Sequence, residues 1–283
     1  MKNRRFSLHQ IQSVENAPFN PKHYSAFKFG DTTIAKVFAK ELFDAFIKIY
    51  GEEILKQTEV LLFPSPYNSI PTASNFLCFY FKNLLNDFLF YHEKDACLEA
   101  KIHRKQTYVE DYGNMSFDER MSLISNDTYY IDKNFVDGKF CIFIDDIKIT
   151  GSHERTVSRI LKDYDVSGEF IYVYFAELTN DKIHPRIEND YNYSGIETIA
   201  DILTIIKSSG FRFNTRVVKY ILLLDNDKFE FLVNEISWDK LNILLNLAIS
   251  NNYHQIKEYR DNLYKLKQKL IWQLTYKKDK ERV

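Results

Sequence analysis

Between Cys141 and His153 the chain reads CIFIDDIKITGSH, which sets two adjacent carboxylates, Asp145 and Asp146, shortly before Thr150-Gly151-Ser152. Carboxylates at the end of an apolar run are costly to bury without partners. Vicinal sugar hydroxyls are suitable partners, because each carboxylate oxygen accepts a hydrogen bond from one of them. Thr150 and Ser152 supply two more hydroxyls around a glycine. Backbone N–H groups opening a helix, with the positive end of its dipole, hold a phosphate without needing lysine or arginine. Glycine lets that backbone approach closely and take a positive φ. The two chemistries are about one ribose phosphate apart, so the segment is expected to bind a ribose carrying a 5′-phosphate. The plainer alternative is an Asp-Asp turn followed by a capped helix. It accounts for each feature singly but not for all three in register.

Such a loop needs a scaffold, and the surrounding pattern provides one. Cys141 to Ile144 reads as a buried strand, and ligands of open parallel sheets sit at the carboxyl ends of such strands. Val60 to Phe63 predicts another strand, running into the turn-rich Pro64-Ser65-Pro66-Tyr67-Asn68, and Phe170 to Phe175 a third. Ile34, Val37, Phe38, Leu42, Ala45, Phe46 and Ile49 have helical spacing behind the cap residues Asp31-Thr32-Thr33. Ala73 to Phe90 predicts a helix packed on both sides, and Val157, Ile160 and Leu161 one face of a helix spanning His153 to Asp163. Strands alternating with helices imply βαβ units, hence an α/β fold with a mainly parallel central sheet flanked by helices. Residues 99 to 130 lack periodicity and read as a long, partly mobile excursion of the functional kind. Beyond about Gly195, Leu241, Leu244, Leu245 and Ala248 share a helical face, as do Ile256, Tyr259, Leu263, Leu266 and Leu270. The expected division is an α/β domain over 18–195 and a C-terminal helical subdomain over 196–283, ending in the solvated tail Lys277-Lys278-Asp279-Lys280.

Bulk properties narrow the partners. Of 283 residues, 45% are hydrophobic and 16% aromatic, which argues for a dense core and against disorder. A formal charge of −1 gives no global field for nucleic acid or an anionic membrane, so an anion site must be built locally. Cys78, Cys97 and Cys141 are widely spaced, offer no zinc framework and suit a reducing compartment. The basic start MKNRRFSLHQ is followed by no apolar run, and no stretch reaches membrane-spanning length. The expectation is a soluble cytoplasmic protein.

The apolar run, acid pair and Thr-Gly loop resemble the phosphoribosyl diphosphate (PRPP) signature of type I phosphoribosyltransferases. That resemblance implies that Asp145 and Asp146 contact ribose hydroxyls directly or through Mg²⁺, making them catalytic and metal-binding candidates. It also implies that Ile147, Lys148, Ile149, Thr150, Gly151 and Ser152 wrap the 5′-phosphate, with His153 standing where a threonine is usual. Ser65, Pro66 and Tyr67 fall where the fold has its diphosphate loop. Residues 99 to 115 fall where a loop closes over the reacting centre, bringing Lys101, Lys105 and above all Arg104 to the departing diphosphate. Ile149 occupies the position of the acidic base in purine salvage enzymes, so no base is carried over. More closely, Tyr24-Ser25-Ala26-Phe27-Lys28-Phe29-Gly30-Asp31, Pro71-Thr72-Ala73-Ser74, Asp111-Tyr112, Thr150-Gly151-Ser152-His153-Glu154 and Asn214-Thr215-Arg216 resemble the ComF-like phosphoribosyltransferases of bacterial tellurium-resistance stress operons.

The implied activity is transfer of a phosphoribosyl group from PRPP, with Mg²⁺, to a nitrogenous base or related nucleophile, releasing diphosphate. The alternative is a non-catalytic PRPP or nucleotide sensor, consistent with the apolar Ile149 and the large helical end. A second copy of the chain or an operon-encoded protein is the expected partner, and nucleic acid and membrane are not. A role in DNA uptake lacks zinc cysteines and a basic surface excess. A dinucleotide oxidoreductase lacks any G-x-G-x-x-G. Acceptor choice is expected to rest on Asn16 to Asp31 and Leu178 to Pro185, whose pattern names no particular base.

Overall fold

The computed structural model describes residues 4–105 and 128–280. Its centre is a five-stranded parallel sheet, in the order β1 (Arg4–Ile11), β7 (Gly168–Leu178), β6 (Lys139–Lys148), β2 (Val60–Phe63) and β3 (Leu98–Glu99). The apolar runs of β2, β6 and β7 are buried on both faces, as strands of a covered parallel sheet are. On one face lie α1 (Pro21–Lys28), α2 (Thr32–Leu55) and α3 (Ala73–Tyr91), packing Phe38, Leu42, Phe46, Leu77 and Phe81 over Ile142, Ile144, Val173 and Phe175. After β3, the ribbon of β4 (His103–Lys105) and β5 (Thr128–Tyr130) and the short α4 (Lys133–Val136) lead into β6. On the other face α5 (Ser152–Asp163) sets Val157, Ile160 and Leu161 against Cys141, Phe143, Tyr172 and Tyr174. Each such fully buried side chain stabilises the fold by about 1.5–3 kcal/mol before entropy. The α/β class, with its parallel sheet flanked by helices, is as expected.

Local chemistry fixes the helix starts nearest the sheet edge. Asn20 accepts hydrogen bonds from the Lys22 and His23 N–H groups with Pro21 at the first helical position, so α1 begins abruptly. Asp31 caps α2 in the same way at Thr33 and Ile34. Thr72 and Asn75 form a reciprocal capping box at the start of α3. Among the described residues the remaining α-helices are α6 (Ile187–Tyr193), α7 (Ile199–Lys207), α8 (Thr215–Leu222), α9 (Asn226–Glu235), α10 (Trp238–Ser250) and α11 (Lys257–Lys280). They enclose a separate apolar cluster around Val217, Ile221, Leu244, Tyr259 and Leu266, into which Phe29 and Ile70 also project. No described helix is long and apolar enough to cross a membrane.

Four differences from the sequence expectations matter. The N-terminal segment, read only as basic, forms β1, in register with Ile171–Leu178. Only Phe6-Ser7-Leu8-His9 alternates, and Arg4 before it and Gln10-Ile11 after it break the pattern that would have revealed a half-buried edge strand. Strand β6, expected to end at Ile144, continues through Lys148, so Asp145, Asp146, Ile147 and Lys148 belong to the strand and the turn proper is Ile149 to Gly151. Helix α3 is packed on one side, not two, leaving Phe79 and Phe90 exposed. The excursion after residue 99 has ordered flanks, because β4 and β5 pair as an antiparallel ribbon. Residues 106–127, including Asp111-Tyr112, lie outside the described residues.

Candidate functional site

Asp145 and Asp146 are neighbours in β6, so their side chains leave opposite faces of the sheet. Asp145 points to the α5 side. Its Oδ1 accepts hydrogen bonds from Ser65 Oγ at 2.7 Å and the Asp146 N–H at 2.9 Å, and its Oδ2 lies 2.6 Å from His153 Nδ1. Three segments therefore meet at one carboxylate: the end of β6, the start of α5 that follows it, and the loop after β2, which lies 80 residues earlier. Burial penalises the Asp145 charge, but His153 and the hydrogen bonds from Ser65 and Asp146 outweigh it, holding the carboxyl well below its ordinary pKa. Ser65 is itself fixed from behind, by Ser74 Oγ at 2.7 Å and by the Asn75 amide on its carbonyl.

Asp146 turns to the α1 side. Its Oδ2 accepts from Tyr24 O–H at 2.9 Å and from the Lys28 ammonium, two residues one helical turn apart on the same face of α1. Burial raises the Asp146 pKa, Lys28 opposes the shift and the charge of Asp145 adds to it. The Tyr24 phenol is pushed well above its ordinary range by burial and by the neighbouring Asp146 charge. Tyr24 and Lys28 carried no individual role in the sequence reading, which gave their segment, Asn16 to Asp31, to acceptor choice and not to pairing Asp146. Their i, i+4 spacing on a capped helix was the available signal.

The turn after β6 is left-handed at its glycine. Gly151 takes φ +72° as the residue before α5. A Cβ built there would meet Lys148 Cε at 3.4 Å and an Arg155 guanidinium nitrogen at 3.7 Å, so two cationic side chains flank the glycine. Thr150 Oγ1 and Ser152 Oγ share a 2.6 Å hydrogen bond, and the Ser152 N–H points back at Thr150 Oγ1. His153 Nε2 is buried without a hydrogen-bond partner, while Nδ1 is committed to Asp145. Ile149, at the position of the missing acidic base, is buried in the apolar core.

Pro66 is buried and Tyr67 half-buried in the loop after β2, and Tyr67 pairs with His103 of β4 through a parallel bridge. This bridge brings the chain after β3 alongside the loop. Lys101 thereby places its ammonium 3.6 Å from the Tyr67 ring centre and donates to the Asn68 carbonyl at 3.1 Å. Arg104, on β4, stands over the Tyr129 ring of the partner strand, 5.9 Å from its centre. The loop contains no basic residue of its own, so Lys101 supplies the cation next to it.

A metal implied by the resemblance meets a divided donor set. Asp145 and Asp146 diverge across the sheet, and Asp146 is committed to Lys28 and Tyr24. Among the described residues no group of three or more His, Cys, Asp or Glu side chains could hold a metal ion. Asp145 can offer an oxygen to an ion that arrives with phosphate ligands, which is how Mg²⁺ is usually held.

No curated protein matches the chain significantly. The family model described as PRTase ComF-like matches residues 2–266, from the first strand through the acid pair and the glycine turn to the last helix, and the chain belongs to that family.

Proposed function

We propose that this protein binds PRPP at the carboxyl end of β6 and transfers its phosphoribosyl group to a nitrogenous nucleophile, releasing diphosphate. The observation that carries the proposal is the junction at Asp145, where the Ser65 loop, the strand end and the glycine turn converge on one ionised carboxylate. A carboxylate has about four acceptor sites, and three are used at Asp145, leaving one on Oδ2 for a ribose hydroxyl. The 5′-phosphate belongs on the Thr150-Gly151-Ser152 turn, with Lys148 and Arg155 beside it. Diphosphate belongs on the Ser65-to-Asn68 loop, where Lys101, and Arg104 from β4, offset charge as it departs. Mg²⁺, carried in by the diphosphate oxygens, would supply further charge compensation there, and where it takes the remaining Asp145 site it does so in place of the ribose hydroxyl. Attack at C1′ then proceeds through an oxocarbenium-like state, and the protein contributes mainly by positioning.

Two observations favour a second reading, a PRPP sensor without turnover. Ile149, at the position where the resemblance puts an acidic base, is buried in the apolar core, and Asp146 is tied to Lys28 instead of being open to a sugar hydroxyl. Both readings fit a cytoplasmic protein of a bacterial stress response of the tellurium-resistance type, acting with a second copy or an operon-encoded partner. Diphosphate release measured with PRPP, Mg²⁺ and a panel of purine, pyrimidine and small amine acceptors separates them. Steady turnover with any acceptor supports the enzyme, and saturable PRPP binding with no release across the panel supports the sensor.

A further inference from the structure

The glycine turn has an acidic neighbour that ought to oppose a phosphate. Glu154 is the third residue of α5, in the turn whose N–H groups face the expected anion, and it is 9% exposed. A second acid, Glu177, is the penultimate residue of β7 and pairs in register with Lys148. Left ionised and unpaired, either would cancel the field that the helix start and Lys148 provide. Both are paired by one residue that nothing in the family signature includes. Arg5 of β1 grips Glu154 with two parallel bonds, Nε to Oε2 at 3.0 Å and Nη2 to Oε1 at 2.9 Å, and reaches Glu177 through Nη1 at 3.2 Å. Lys148 completes the pairing at Glu177 Oε1, 2.7 Å away, and Ser7 O–H donates to Oε2. Tyr174, whose register partner is Asp145, donates its O–H to Glu154 at 3.1 Å. Two cations thus balance two carboxylates directly beneath the turn. The bidentate geometry, specific to arginine, also holds the Glu154 carboxylate away from the helix-end amides it would otherwise cap.

We infer that Arg5 is a positioning residue for phosphate recognition: by masking Glu154 from the first strand, and sharing Glu177 with Lys148, it keeps the α5 N-terminus available to the 5′-phosphate. The inference rests on the proposed ribose-phosphate site. It gives the N-terminal strand a function beyond extending the sheet.

The test is calorimetric binding of ribose 5-phosphate, which probes the phosphate turn without the diphosphate loop. Arg5→Met is expected to weaken binding about tenfold or more, from one uncompensated carboxylate near the phosphate. Arg5→Met/Glu154→Gln is expected to recover to within about threefold of the wild type, because the unmasked charge is gone. Glu154→Gln alone is expected to bind more tightly than the wild type, which tests the idea even if Arg5→Met fails to fold. A merely structural role for Arg5 predicts weakening without rescue, and that result overturns the inference. So does unchanged binding in folded Arg5→Met, or weaker binding in Glu154→Gln. If the wild type binds neither ribose 5-phosphate nor PRPP, the site assignment itself fails. If the wild type binds and only the variant pattern departs, the assignment stands and the masking role falls.

Discussion

Asp145 and Asp146 are adjacent in sequence yet have opposite electrostatic fates, and each fate is measurable. Asp145 has a depressed pKa, so its contribution to stability is fully present above its unfolded value of about 3.9 and is lost as pH falls towards its folded value. The stability gap between wild type and Asp145→Asn, measured by urea unfolding between pH 6 and 3, should therefore shrink below about pH 4. A gap independent of pH would contradict the His153 and Ser65 arrangement. Asp146 has a raised pKa, and its ionised form is tolerated because Lys28 is there. Lys28→Met strands a buried carboxylate and should cost about 3–5 kcal/mol, most of it recovered in Lys28→Met/Asp146→Asn. Equal destabilisation of the single and double variants would show that Lys28 stabilises the fold some other way.

At the scale of elements, the site depends on a strand that outruns its apolar stretch and a turn that only glycine makes easily. Gly151→Ala should cost about 1–2 kcal/mol, because φ +72° is strained for an L side chain, and should weaken ribose 5-phosphate binding as the turn shifts to relieve that strain. Unchanged binding in this variant would separate the turn from the phosphate. The acid pair, the Thr-Gly-Ser turn and the α5 face were legible in the sequence, because their chemistry and periodicity are local. The extension of β6 to Lys148 was not, since two carboxylates look like the end of a buried strand until Ser65, His153, Tyr24 and Lys28 are seen to pair them. Nor was β1 legible. Its arginines make ion pairs with Glu53, Glu154, Glu169 and Glu177, partners about 50 to 170 residues away that no local pattern reveals.

At the scale of the whole molecule, the helical end is tied to both arms of the site. Asn214 donates to the Lys28 carbonyl at 3.0 Å while capping α8. Thr215 donates through its side chain to the Ile70 carbonyl and through its N–H to that of Pro71. Ser69 is held by the Asn251 side chain and the Ser250 carbonyl. The helix that carries Lys28 to Asp146 and the loop that carries Ser65 to Asp145 are therefore both braced by residues beyond 196. We propose that the α/β region and the helical region, drawn from sequence at 18–195 and 196–283, unfold together. The two tryptophans, Trp238 and Trp272, both lie in the helical region, so their fluorescence reports that part and far-ultraviolet circular dichroism the whole. The two denaturation curves should coincide, and separate midpoints would contradict the bracing.

The central claim, a ribose-phosphate site built on Asp145, is tested most directly by calorimetric titration of wild type and Asp145→Asn with PRPP in the presence of Mg²⁺. The account predicts saturable one-to-one binding by the wild type, and at least about tenfold weaker binding by a variant that remains folded. Equal affinity in the two proteins, or no binding by the wild type, would contradict it.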